Sequence, residues 1–482
     1  MCPGPRTSVE SVTVTKKRLW AIDSLVLIFS IVIFAQLLTY AVPQGTFERQ
    51  PYPANPAREM VVPGTYAAVP AAEEVSLTPW HFLTAVPKGL EAAQEIIFLV
   101  FLVGGVIAIL RATGAIDAVL HTAVARLGGK PWILIAGCLI MFGLGSWTIG
   151  MGEEYVPLIP ILVTMSLAMN MDAIVAMGMI WVPYGIGWAC AGTNPFGVLI
   201  AQDIAGLPPT SGWSFRLVML GIFLTVGFHH VYRYARRIQK NPAESLVADV
   251  DYSDGFEAPD DVQLTWRRVL ILAVFVLGIV GFVIGASTSG WYIGELLTIF
   301  LAIGILGAII GGLPPIQTSR TFINGAAEMT AAALIIGFAR AIEVVLNDGQ
   351  VIDTVIHSIA GLLEGTGPAV AAVGMLGVQT VCNFFIPSGS GQAFVTMPIM
   401  SPLATLTDVP QQVAVLAFQF GDGFSNMIIP TNALVMGTLA LGRIPYSRWV
   451  RFAGPLLVKL LAVAVIMLVL ALYVGEATGF TG

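Results

Sequence analysis

From Leu19 onward the chain returns repeatedly to apolar runs of bilayer length, near 19–43, 92–110, 132–149, 155–169, 172–206, 215–232, 268–288, 293–313, 326–346, 368–386, 393–406, 411–442 and 453–474. A water-soluble core is built from elements with one apolar face, whereas helices apolar all round are buried in protein or in lipid. About 20 such residues match the hydrocarbon thickness of a membrane. Only 11% of the residues are charged, against about 25% in a soluble domain. The expected fold class is an all-α polytopic membrane protein. The net charge of −6 is gathered in loops, with no basic stripe to suggest nucleic-acid binding. Cys2, Cys138, Cys190 and Cys382 show no C-x-x-C spacing, so neither a disulfide framework nor a structural zinc site is implied. The first run follows Lys16-Lys17-Arg18 and exceeds the core of a cleaved signal, which makes it an uncleaved first span with a cytoplasmic N-terminus.

Two pairs of runs, 132–169 and 368–406, are split by Gly-rich polar tips, TIGMGEE (Thr148 to Glu154) and PSGSGQ (Pro387 to Gln392). Each pair is expected to form a re-entrant hairpin, leaving nine crossings and an external C-terminus. That arrangement puts Arg111, Arg126, Lys130, Arg233, Arg236, Arg237, Lys240, Arg267, Arg268, Arg320, Arg443, Arg448 and Arg451 inside. Arg49, Arg58, Lys88 and Arg216 fall outside, the asymmetry that the positive-inside rule demands. The expected organisation is a cytoplasmic N-terminus (1–18), a first span (19–43) and an external loop (44–91) with a PGTY turn. A first repeat (92–240), an acidic cytoplasmic linker (241–266), connecting spans (267–322) and a second repeat (323–482) follow. The linker carries Glu244, Asp249, Asp251, Asp254, Glu257, Asp260 and Asp261 and reads as a flexible solvated tether.

The repeats are visible as a duplication. Ile116, Asp117 and His121 recur 236 positions later as Ile352, Asp353 and His357. At an offset of 238, Pro160 maps to Pro398, Gly185 to Gly423 and Thr193-Asn194 to Thr431-Asn432. Five crossings separate the two starts, so the copies are inverted. Inverted repeats with hairpins and broken helices mark secondary transporters, because the pseudo-two-fold axis supplies similar conformations open to either side. Asp117, His121, Asp353 and His357 lie on amphipathic segments, as structural arms or as proton-handling groups.

Irregular backbone survives at membrane depth only where it lines a cavity or is buried in protein. The two tips are joined by two interrupted spans, GWACAGTNPFG (Gly187 to Gly197) and GDGFSNMIIPTNA (Gly421 to Ala433). Pro195 and Pro430 disturb helix bonds beside Thr193-Asn194 and Thr431-Asn432, freeing carbonyls for a small cation and N–H groups for an anion. These four residues are the candidate ion ligands, with Na+ or H+ as coupling ion and no other metal or cofactor. Glu153, Glu154 and Asp422 are carboxylates at a depth where charge is expensive. Arg340 is the one clear base within a span, and Glu343 can pair with it along a helix. Gln392 stands where the first tip carries Glu154, so the acidic tip suits an ammonium group and the Ser388-Gly389-Ser390-Gly391 tip a carboxylate. The candidate substrate site is therefore Glu153, Glu154, Ser388, Gly389, Ser390, Gln392, Asp422 and Asn426.

At the strings GMGEE, TNPFGVLIAQDIAGLPPTSGWSFR, PSGSGQA and AFQFGDGFSNMIIPTN the chain resembles the anaerobic C4-dicarboxylate carrier-like group, in the branch of basic amino acid antiporters and related permeases. The resemblance covers most of the chain. It implies the ion-transporter superfamily architecture, a homodimer with a fixed scaffold and a transport domain moving as an elevator in the bacterial cytoplasmic membrane. In that superfamily the tips and breaks form sodium and substrate sites, often with a Ser-Asn-Thr tip. Here the tips read Gly-Met-Gly-Glu-Glu and Pro-Ser-Gly-Ser-Gly instead.

The first expectation is exchange or ion-coupled transport of small amino-acid-like solutes, cationic ones such as arginine or ornithine. The alternative is a sodium- or proton-coupled carrier of C4-dicarboxylates or short-chain carboxylates. An intramembrane enzyme needs a nucleophile with a base, or a metal cluster. Cys190 and Cys382 lack a nearby His, and no H-E-x-x-H occurs. Inverted hairpins argue for occlusion and against an open channel.

Overall fold

In lipid every backbone N–H must be satisfied within its own segment, and the apolar runs accordingly become helices. The computed structural model describes residues 19–52, 55–116, 118, 122, 130–252, 263–289, 291, 293–363, 365–475, 477 and 479–480. Lys16 to Arg18, Asp117, His121, Arg126 and the linker acids Asp254, Glu257, Asp260 and Asp261 lie outside the described residues.

The chain opens with α1 (Leu19–Ala41), then α2 (His81–Ala92) and α3 (Gln94–Ala112). The first hairpin is α4 (Pro131–Ile149), a tight helical turn at Glu153–Leu158, and α5 (Ile159–Ala168). A helix broken into α6 (Ala173–Ala189) and α7 (Val198–Ile204) follows, then α8 (Trp213–Lys240). Beyond the linker come α9 (Trp266–Ser289), α10 (Ile293–Gly311), α11 (Pro315–Glu328), α12 (Thr330–Asp348) and α13 (Ile352–Gly361). The second hairpin is α14 (Pro368–Phe385) and α15 (Gly389–Leu406), the second broken helix α16 (Gln411–Ser425) and α17 (Ala433–Leu441), and α18 (Tyr446–Val474) closes the order. Among the described residues seven helices are long and apolar enough to cross a bilayer: α3, α4, α8, α10, α12, α14 and α18.

The loop before α2 adds what the all-helical expectation lacked. β1 (Gly45–Thr46) pairs antiparallel with β4 (Ala67–Ala68), and β2 (Arg49–Tyr52) with β3 (Asn55–Val61). Gly64, at φ +77°, turns the chain inside the PGTY sequence. The Tyr52 hydroxyl donates to Asp203 of α7, and its ring meets Phe394 of α15 edge-on at 4.9 Å. Burial and the neighbouring Asp203 carboxylate push that phenol above its ordinary range.

The duplication is structural. Adding 236 to the bounds of α3 returns those of α12, and adding 238 to Ala168 and Ala173 returns the end of α15 and the start of α16. The correspondence includes α2 and α11, whose last residues Ala92 and Glu328 are also 236 apart. Each of these helices packs against the other repeat, α2 on α12 and α11 on α3. The repeat mates Gly89 and Gly325 make this possible. A Cβ on Gly89 would lie 2.5 Å from the Gly337 carbonyl oxygen, and one on Gly325 only 2.4 Å from that of Gly104.

Two groups of helices result. One, the frame, is α1 to α3 with α9 to α12; the other, the bundle, is α4 to α8 with α14 to α18. In the bundle α4 packs on α6 as α14 packs on α16, and α6 crosses α16 at the pseudo-two-fold axis. The crossing falls on the mates Gly185 and Gly423: a Cβ on Gly423 would lie 2.4 Å from the Ala189 nitrogen. The groups meet where α12 touches α17 and α3 touches the turn at Glu153–Leu158.

The start of the linker is docked, where a free tether was expected. The Asp172 carboxylate caps α6 at the Val175 N–H (3.0 Å) and accepts from Tyr234 and from Ser245, each at 2.6 Å. Arg448 donates to the Leu246 carbonyl at 2.9 Å, and Val247 is buried. An apolar stretch, Leu246-Val247, among the linker acids supplies the reason.

Candidate functional site

The first tip begins where Gly150, at φ +74°, ends α4 in the left-handed conformation. Ser146 Oγ donates to the Met151 carbonyl (2.8 Å), and the Tyr155 hydroxyl donates to that of Phe142 (2.7 Å). The Glu154 carboxylate folds back to accept from the Gly152 N–H at 2.7 Å. The tip sits on the first broken helix. A Cβ on Gly150 would lie 2.6 Å from Asn194 Oδ1, and one on Gly152 would lie 2.9 Å from the Tyr184 ring. Thr193 Oγ1 donates to the Thr148 carbonyl (2.9 Å), the Asn194 amide reaches that of Ser146 (3.4 Å), and Asn194 Oδ1 accepts from the Phe196 N–H (2.8 Å).

At the second tip Ser388 Oγ caps the Gly391 N–H at 3.3 Å, and Gly389 opens α15. A Cβ on Gly389 would lie 2.7 Å from Trp188 Cζ2 and 3.1 Å from Asp422 Oδ2. Gln392 is not presented at this tip. It turns inward and donates to the carbonyl and side-chain oxygens of Gln379 at 2.9 and 2.6 Å, fastening one hairpin leg to the other. Ser390 stays partly exposed.

Asp422 is 0% exposed. Its Oδ2 accepts from Trp188 Nε1 (2.5 Å) and its Oδ1 from Asn426 Nδ2 (2.9 Å). Asn426 Oδ1 accepts from Asn432 Nδ2 (3.0 Å), and Asn432 Oδ1 caps α17 at the N–H groups of Leu434 (3.0 Å) and Val435 (3.2 Å). A continuous polar chain thus runs from α6 through the second break to a helix N-terminus. Asn383 of α14 braces it, donating to the Asp422 carbonyl and to Ser425 Oγ at 2.9 and 2.7 Å. Two buried oxygens of the second break and its brace, Thr431 Oγ1 and Asn383 Oδ1, have no hydrogen-bond partner.

No ion pair among the described residues involves Glu153, Glu154 or Asp422. Arg340 and Glu343 pair along α12 at 2.5 Å, as their spacing predicts. A second base lies within a span, against expectation: Arg216, assigned to the outer loops, is 0% exposed within α8. It donates to the side-chain oxygens of Gln419 and, at 3.1 Å, Gln412, with the Phe480 ring 5.5 Å from its guanidinium. Those amides hold two of its three nitrogens, Nε being left without a partner, and offset part of the cost of burying it.

The site brings together both tips and both breaks. Sequence reasoning missed Tyr184 and Trp188, one helical turn apart on α6, on which the two tip glycines rest. Tyr184 also lies within electrostatic reach of Glu153 and Asp422. The available signal was the spacing of Trp181, Tyr184 and Trp188 before the break, in a run that otherwise reads as core. Asp353 and His357 lie elsewhere, held by the strand-bearing loop. Asp353 accepts from the Phe47 N–H (3.0 Å) and from Arg49 (2.9 Å), and His357 stacks on Tyr66 at 4.0 Å.

Residues 22–473 match the family model for the C4-dicarboxylate anaerobic carrier, DcuC. The chain is 35% identical over 480 residues to the "Putative basic amino acid antiporter YfcC" of Escherichia coli (strain K12), covering 91% of this chain and 94% of that one. It is 32% identical over 418 residues to an uncharacterised protein of Haemophilus influenzae, covering 86% and 81% of the two chains. The Alcanivorax borkumensis YdaH transporter structure aligns over 95% of this chain and 100% of its own, at 16% identity and a TM-score of 0.42.

Proposed function

The chain belongs to the C4-dicarboxylate anaerobic carrier family of secondary transporters, and on that premise we propose that it moves small cationic amino-acid-like solutes, such as arginine or ornithine, by exchange or by Na+ or H+ coupling. The observation that carries the proposal is the convergence of both hairpin tips on Tyr184 and Trp188, beside three carboxylates that no base neutralises among the described residues. Two like charges 4 Å apart at an effective dielectric of 20 repel by about 4 kcal/mol. A dianion here needs added cations, whereas a cationic amino acid brings its own. The name of the Escherichia coli relative supports the same solute class.

In this reading Glu153 and Glu154 meet the positive end of the solute, and Asp422, covered and held by Asn426, acts on it from behind Trp188. The Ser388-Gly389-Ser390 tip, at the N-terminus of α15, offers N–H groups to its carboxylate. Thr193, Asn194, Thr431 and Asn432 frame the coupling ion, and Gln392 acts by holding the second hairpin closed. The bundle moves against the frame as an elevator in a homodimer of the bacterial inner membrane. Nine crossings, with the N-terminus cytoplasmic and the C-terminus external, complete the arrangement. Its support is that loop contacts fall into two separate sets, one joining 172, 234, 245–249 and 448, the other joining 47–66, 203, 353–357 and 394.

The second reading, coupled carriage of C4-dicarboxylates or short-chain carboxylates, is favoured by the family model's own substrate. Uptake of labelled arginine and of labelled succinate into proteoliposomes, with and without sodium and proton gradients and with counter-solute inside, separates them. Saturable, counterflow-stimulated arginine uptake is expected. Arginine flux absent under every gradient, with succinate flux present, would replace the first reading by the second.

A further inference from the structure

Helix α6 is buried at every residue from Ala173 to Ala189 except Trp188. The exception stands at the point where the tips and breaks converge. Its Nε1–H is committed to Asp422 Oδ2 at 2.5 Å, and Asp422 itself is wholly covered. Two glycines border the indole: a Cβ on Gly389 would lie 2.7 Å from Cζ2, and one on Gly197 would lie 3.5 Å from Nε1. Tyr184 flanks it with ring centroids 5.8 Å apart. Gly197 follows exposed Pro195 and Phe196, and Gly389 lies between half-buried Ser388 and Ser390, so the indole is partly open where the carboxylate behind it is covered.

An aromatic face attracts a cation through its negative quadrupole, most strongly for Trp and when water is excluded. Donating the indole N–H to a carboxylate polarises the ring further, placing negative charge at its positive edge. Asp422 thereby acts on a solute it does not touch, while the bordering glycines keep side chains off the edge of the ring.

We propose that Trp188 is the specificity-determining residue, taking the ammonium or guanidinium group of the solute against its partly open indole ring while Asp422 reinforces that ring from the N–H edge. This deepens the cationic-solute reading and rests on it. A tryptophan that merely filled space would give no discrimination between a charged and a neutral side chain of one shape.

The test is ligand-induced thermal stabilisation of the purified full-length protein. Arginine is compared with citrulline, which replaces the guanidinium by a neutral ureido group of nearly the same size. The wild type is expected to respond to arginine at a concentration at least tenfold below that for citrulline. Trp188→Phe keeps an aromatic face without the N–H donor and should retain part of that ratio, lowered about threefold. Trp188→Leu should bring the ratio close to one. If the leucine variant does not fold, the phenylalanine variant decides: an unchanged ratio there overturns the proposal. A wild type that prefers arginine and a folded leucine variant that keeps the full preference would overturn the role of Trp188 and leave the solute class standing. A wild type stabilised by succinate and indifferent to arginine would remove both.

Discussion

Glu154 and Arg216 show two ways of holding a charge at membrane depth. Glu154 bonds to the backbone of its own tip, through the Gly152 N–H, which an amide oxygen could accept equally well. Glu154→Gln should therefore preserve assembly and unfolding temperature while lowering initial uptake rates at least tenfold; wild-type rates would return the residue to a structural role. Arg216 is embedded for the fold, its guanidinium tied to Gln412 and Gln419. Arg216→Met should orphan both amide oxygens and destabilise the protein by about 2 kcal/mol, seen as a lower thermal unfolding midpoint in detergent. The acids were legible in the sequence because a carboxylate inside an apolar run has few explanations. Arg216 was not, since a base near the start of a run reads as a boundary charge. What draws it inward are two glutamines 196 and 203 residues away, and that distance in the chain leaves no local trace.

At the level of the element, the breaks are also helix caps. Asn432 both caps α17 and passes a hydrogen bond back toward Asp422 through Asn426. Losing a cap of this kind costs about 1 kcal/mol, so Asn432→Ala should lower stability modestly. It should also raise the half-saturating concentration of ion or solute, by loosening Asp422. Unchanged transport kinetics alongside the stability loss would confine Asn432 to capping. Hairpins, breaks and repeat register were readable because Gly, Pro and Asn punctuate them at matching offsets. Tyr184, Trp188, Asn383 and Gln379 were not, because a single aromatic or amide inside a helix means nothing until the facing helix is known. The Gly185–Gly423 crossing sets that pairing, and it brings Trp188 onto Asp422.

At the level of the molecule, the frame and bundle touch where Ile336 of α12 meets Gly437 of α17: a Cβ on Gly437 would lie 2.5 Å from Ile336 Cδ1. Ile336→Cys with Gly437→Cys, joined by mild oxidation, should stop flux, and reduction should restore it. The described native cysteines are buried and should not compete. Flux that continues in the cross-linked protein would refute a sliding bundle. Within the frame, the seats of Gly89 on Gly337 and of Gly325 on Gly104 leave no room for a methyl group between backbones. Helices locked that closely cannot absorb mechanical displacement, so they behave as a rail whose gauge is preset. For the sliding proposed above, the distance travelled in each cycle depends on the three segments that join frame to bundle, 113–130, 241–265 and 349–367, and lengthening one of them should alter stroke and turnover while leaving solute preference untouched.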